Sequence, residues 1–233
     1  MDSIPFAGRP LFSWYSSCVS EDFQPGLVYH EGMSRLRIHR YIPRTGVEGP
    51  GERACVWVQG CPLHCAGCFN PETWPFDAGE EVGTADLFEK ITRQNDIDGI
   101  TFLGGEPFAQ AAALAELGER LRCKGLSVVT FTGYTVEHLR SADNPDWDRL
   151  IATTDLLIDG PFIQNLADQS RPWVGSSNKR FLFLTDRYRH LERVLNDIPN
   201  GLEVRISPEG KVTINGMETS ETLEELKSTL TRP

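Results

Sequence analysis

Five short apolar runs, each bounded by Gly, Pro or polar residues, limit what this chain can fold into: 54–59, 99–103, 127–132, 155–158 and 181–184. Uninterrupted apolar runs of this length suit strands buried on both faces, as in parallel sheets. Helix-like stretches separate them. Leu87, Phe88 and Ile91 lie at helical spacing behind Thr84 as a cap, and Pro107 at a first helical position precedes Leu114, Leu117 and Leu121. Strand alternating with helix predicts right-handed βα units, hence an α/β fold.

The flanks of this core read differently. Residues 1–35 mix prolines and glycines with aromatics in no regular period, predicting an irregular arm whose aromatic side chains need cover. Leu36, Ile38, Tyr41 and Ile42 predict a strand that starts the core, which runs over 36–190. In the remaining 191–233, two runs flank Pro208-Glu209-Gly210 as a β-hairpin, and a closing helix is predicted from Ser220 to Leu230.

At 233 residues the chain suffices for one domain with an appendage. Its formal charge of −10 opposes binding to phosphate backbones, so nucleic acid is excluded as a partner. No apolar run of about 18 residues and no N-terminal signal pattern occurs, which predicts no membrane association and a cytoplasmic location.

Cys61, Cys65 and Cys68 fall within eight residues at the spacing C-x3-C-x2-C, directly after the first buried run, while Cys18, Cys55 and Cys123 stand alone and read as packing residues. In a reducing compartment so tight a cluster indicates a metal. Three thiolates on one loop can hold three corners of a [4Fe-4S] cubane and leave the fourth iron open to a substrate. The alternative is zinc, with His64 completing a Cys3His set in a structural or redox-sensing module.

With the neighbouring motifs included, the chain resembles the radical S-adenosylmethionine (SAM) superfamily. The stretches Glu48-Gly49-Pro50-Gly51-Glu52-Arg53, Trp57 to Cys61 and Cys68 to Trp74 are similar to the activating enzymes of glycyl-radical enzymes, above all the activators of anaerobic ribonucleotide reductase. The resemblance continues through Leu103-Gly104-Gly105-Glu106-Pro107, Thr132 to Thr135, Asp159 to Phe162 and Gly175 to Asn178. It implies a partial, open βα barrel, since a full eight-unit barrel of about 250 residues exceeds this chain.

The resemblance also implies site roles. Gly104, Gly105 and Glu106 would bind the SAM amino group, Asp159 and Thr132 the ribose, and Arg171 or Ser177 the carboxylate. Phe69 would neighbour the adenine, with a core role equally open. One departure is Gly67, where many superfamily members place an aromatic residue before the last cysteine. The implied reaction is reductive cleavage of SAM to a 5′-deoxyadenosyl radical, which takes hydrogen from a glycine of a partner enzyme such as anaerobic ribonucleotide reductase. A flavodoxin- or ferredoxin-type protein would donate the electron. The competing target is a small molecule or a peptide.

Overall fold

The computed structural model describes residues 34–210, 212–218 and 220–230. The arm expected over 1–35 lies outside the described residues apart from its last two positions.

Four strands with buried side chains throughout most of their length form the middle of the sheet: β2 (Arg53–Val58), β4 (Gly99–Gly104), β5 (Ser127–Phe131) and β6 (Leu156–Asp159). They are mutually parallel, as two-sided burial requires. β1 (Arg35–Thr45) joins β2 antiparallel, and β3 (Glu80–Gly83) joins β1. β7 (Arg180–Phe183) runs antiparallel to β6, so the fifth apolar run is an edge strand and not a further parallel one. The order β3-β1-β2-β4-β5-β6-β7 leaves β3 and β7 as edges of an open seven-stranded sheet.

Four helices connect or cover the strands: α1 (Thr84–Thr92), α2 (Ala111–Cys123), α3 (Val136–Ser141) and α4 (Pro145–Thr153). Gly83 occupies the cap position of α1, and Thr84, the first helical residue, instead donates its hydroxyl to Glu116 of α2 at 2.9 Å. Pro107 opens a 3-10 turn that leads into α2. The chain had given no clear sign of α4, which Asn144 caps through Asp146 and Trp147 N–H groups at 3.0 and 3.3 Å. Cys55 is fully buried as a packing residue. Cys123 is exposed at the end of α2, which corrects the packing role expected for it, and Cys18 lies outside the described residues.

At the N-terminal end of the parallel strands Arg53 is entirely buried. Its guanidinium donates to Thr101 Oγ1 (2.8 Å), Pro50 O (3.1 Å), Ser127 Oγ (2.9 Å), Tyr188 OH (2.8 Å) and Ile100 O (2.6 Å). Gly49, at φ +136°, is required beside it, because a Cβ there would lie 2.9 Å from Arg53 Cδ. The Gly-Pro-Gly-Glu-Arg motif is thus an anchor at the sheet end opposite the cysteines.

β8 (Leu202–Ile206) and β9 (Val212–Gly216) form the expected hairpin, with Gly210 at φ +81° in its turn, and α5 (Ser220–Leu230) follows. The hairpin is fastened to the β1–β2 corner: Asn215 Nδ2 donates to Thr45 Oγ1 at 2.9 Å and Gly216 N to Glu48 Oε1 at 3.1 Å. Burial pushes the Glu48 carboxyl up to about 7, against the pull of the Gly216 N–H and Arg40. A raised carboxyl makes folding most favourable below its unfolded value near 4.5 and less so as pH climbs through about 7. Glu48→Gln is therefore expected to remove a stability loss of up to roughly 3 kcal/mol between these pH values. Thermal melts of both proteins at pH 5 and pH 8 check this; parallel pH slopes would contradict it.

Candidate functional site

The C-terminal ends of β2, β4 and β5 open onto a cavity of about 460 Å³ whose wall includes Cys61, Cys65 and Cys68, Gly104 to Glu106, Thr132 and Phe69. The segment after β2 is held to its own return path. Gly60 N donates to Thr73 O (2.8 Å), Cys61 N to Trp74 O (3.1 Å), and Gln59 Nε2 to Glu72 O (3.0 Å) and Pro75 O (2.7 Å). These bonds set the cysteine loop before any metal arrives. Gly67 sits at φ +75° with the Gln164 side chain 3.1 Å from where a Cβ would be, which accounts for a glycine in place of an aromatic residue.

The three thiols lie in one cavity wall, Cys61 buried and the other two partly so. Among the described residues no three His, Cys, Asp or Glu side chains converge on the position of a single ion. A cubane asks for something else, one thiolate for each of three irons. His64, the fourth ligand a zinc site needs, stacks its ring on Trp74 at 4.7 Å between centroids and 22° between planes. The donor set on the wall thus fits a three-cysteine cluster, and the histidine is engaged elsewhere.

Gly104 and Gly105 bring β4 against the entry to the cysteine loop. A Cβ on Gly104, at φ +103°, would stand 2.7 Å from Trp57 Cα, and one on Gly105 2.3 Å from Gly60 O. Gly105 N donates to Val58 O at 2.8 Å and Glu106 N to Gly60 O at 2.9 Å. The two glycines are needed for this backbone contact in addition to any ligand. Glu106 is buried, and its carboxylate accepts from Phe108 N (3.0 Å), Thr132 Oγ1 (2.9 Å) and Gly133 N (2.8 Å). Burial raises its pKa, while these donors and the Lys179 ammonium oppose the rise.

Other expected site residues are used differently. The Thr132 hydroxyl is spent on Glu106. Asp159, fully buried at the end of β6, accepts from Val136 N at 2.7 Å and from Arg180 at 2.9 and 2.5 Å, so it fastens α3 and β7. It does not line the cavity. Arg171 also stays off the wall, donating to Lys179 O and Ser176 O, both at 3.0 Å. Ser177 is exposed and bonds to Leu166 O through N (2.8 Å) and Oγ (3.3 Å). Phe69 is 53% exposed on the cavity rim, its ring 5.1 Å from that of Phe162, which removes the core role left open for it.

Lys179 was not singled out from the sequence. Its ammonium donates to Gly160 O at 2.6 Å and lies in the cavity wall, where burial lowers its pKa and Glu106, Cys65, Asp159 and Cys68 draw it back up. It places a cation near Glu106, Cys65 and Cys68. A lysine next to the Gly175-Ser176-Ser177-Asn178 motif carried no signal beyond its position.

Three thiols of one loop thus lie beside a glycine-lined carboxylate pocket at the C-terminal edge of a parallel sheet. The chain belongs to the 4Fe-4S single cluster domain family, whose model matches residues 47–182. It is 33% identical over 152 residues to the anaerobic ribonucleoside-triphosphate reductase-activating protein of Escherichia coli (strain K12), covering 62% of this chain and 96% of that protein. The protein of the same name from Vibrio cholerae serotype O1 is 32% identical over 155 residues, with the same coverage. Pyruvate formate-lyase-activating enzyme of Listeria monocytogenes is 32% identical over 133 residues, 52% of this chain and 51% of that enzyme. The chain is accordingly a radical SAM oxidoreductase whose cofactors are a [4Fe-4S] cluster and SAM. Among the described residues no helix is long and apolar enough to cross a membrane.

Proposed function

We propose that this enzyme generates a glycyl radical on a partner polypeptide of the anaerobic ribonucleotide reductase kind, working from an open sheet that serves as a partial βα barrel. The supporting observation is the cavity that gathers Cys61, Cys65, Cys68 and Glu106 at the sheet edge where βα proteins bind ligands. Cys61, Cys65 and Cys68 would hold three irons, and Gly104 to Glu106 would meet the SAM amino group, an ammonium seeking carbonyls and a carboxylate. The chemistry supplied by the bound cofactors is one-electron reduction of the sulfonium, yielding methionine and a 5′-deoxyadenosyl radical.

The protein's own part is placement. Thr132, Gly133 and Phe108 fix the Glu106 carboxylate from three directions, so it meets a cation without reorganising. Lys179 offsets negative charge on the thiolate side. Trp57, Leu103 and Phe131 give the cavity apolar walls that keep water from a reactive intermediate. A flavodoxin- or ferredoxin-type protein is the proposed electron donor. The test is electron paramagnetic resonance of the reduced enzyme with SAM and an anaerobic ribonucleotide reductase. A glycine-centred doublet on the reductase is expected. Its absence, with SAM still being cleaved, would point to a different hydrogen donor.

A further inference from the structure

The cavity has a second wall, built where β9 docks on the β1–β2 corner, and it carries two buried polar atoms of opposite kind with nothing to bond. Arg40, on β1, is half-buried with its guanidinium carbon 4.2 Å from the centre of the Trp57 ring, and its Nε has no hydrogen-bond partner. Asn215, on β9, is 5% exposed; its Nδ2 goes to Thr45 and Glu203, and its Oδ1 has no partner. Both residues line the cavity that also contains the three cysteines. Unpartnered buried donors and acceptors are rare because each costs on the order of 1–3 kcal/mol.

One missing acceptor and one missing donor in the same wall call for a ligand that supplies both. A simple anion would satisfy Arg40 but meet Asn215 Oδ1 and the buried Glu48 carboxyl unfavourably. A peptide unit offers a carbonyl and an N–H together. Leu202 and Ile214 beside them give the apolar surround that strengthens such bonds.

We propose that Arg40 and Asn215 form a subsite for peptide main chain, Arg40 donating to a carbonyl and Asn215 Oδ1 accepting from an N–H, which selects the polypeptide admitted to the cysteine side of the cavity. The proposal rests on the reading of the hydrogen donor as a polypeptide. Arg40 and Asn215 both lie outside the family match, which spans residues 47–182.

The probe is acetyl-Gly-Gly-Gly-amide, titrated calorimetrically into the anaerobically reconstituted enzyme with SAM bound, beside Arg40→Met and, should that variant fail to fold by circular dichroism, Arg40→Gln. Binding to the wild type that weakens about tenfold or more in the variant is expected. Acetate should neither bind comparably nor compete. No peptide binding by the wild type, equal binding by the variant, or acetate competing as well as the peptide would each overturn the subsite. The titration needs no radical, so its outcome is separable from that of the glycyl-radical experiment. Arg40-dependent binding without a glycyl radical leaves the subsite standing and removes only the activation reading.

Discussion

Cys61→Ser, Cys65→Ser and Cys68→Ser are each expected to reduce 5′-deoxyadenosine formation to background, about a thousandfold or more, equivalent to roughly 4 kcal/mol of transition-state stabilisation. Three thiolates are the minimum that holds a cubane and leaves one iron open, so a serine in any position removes a ligand with no spare nearby. Cys55, the other described free thiol, is fully buried, and burial raises its pKa well above that of an ordinary thiol, so it is a poor substitute ligand. Iron content and product formation after anaerobic reconstitution provide the measurement. A serine variant retaining a full cluster and wild-type turnover would show that the ligand assignment is wrong.

Arg53→Met is expected to cost about 3–5 kcal/mol of stability, since it removes the donor to the Pro50 and Ile100 carbonyls and to the Thr101, Ser127 and Tyr188 hydroxyls in a dry interior. Arg53→Lys should recover little, because an ammonium cannot reproduce the planar fork that spans these acceptors. For a chain of 233 residues this corresponds to a melting temperature lower by about 10 °C. A shift of only a degree or two in the apoprotein would contradict the anchoring role. The effect should appear without cluster or SAM, because Arg53 lies at the far end of the strands from the cysteine loop.

What the chain declared in advance follows from where its signals are local. β2, β4, β5 and β6 were legible because burial on both faces leaves unbroken apolar runs. β3 was not, since Glu80-Glu81-Val82-Gly83 turns only Val82 inward and reads as a loop. The antiparallel direction of β7 was hidden because an edge strand can carry the same apolar letters as a central one.

The site divides in the same way. Cys61, Cys65 and Cys68 are close in sequence and were visible at once. Glu106 was visible beside its glycines, but the donors that fix it come from Phe108, Thr132 and Gly133 on different segments. Asp159 was correctly placed at a strand end; that its carboxylate goes to Arg180 and Val136 depends on β7 and α3 folding over it. Arg40 and Asn215 are 175 positions apart and share a wall only because the hairpin docks on β1, a contact no periodicity announces.

The central claim is that Cys61, Cys65 and Cys68 hold a [4Fe-4S] cluster with one iron free for SAM. Its most direct test is electron paramagnetic resonance of the reconstituted, dithionite-reduced protein before and after SAM is added. The account predicts about four irons per chain, as a single cubane contains, and a cluster signal whose shape changes on SAM addition. A colourless protein that takes up zinc, or a cluster signal indifferent to saturating SAM, would contradict it.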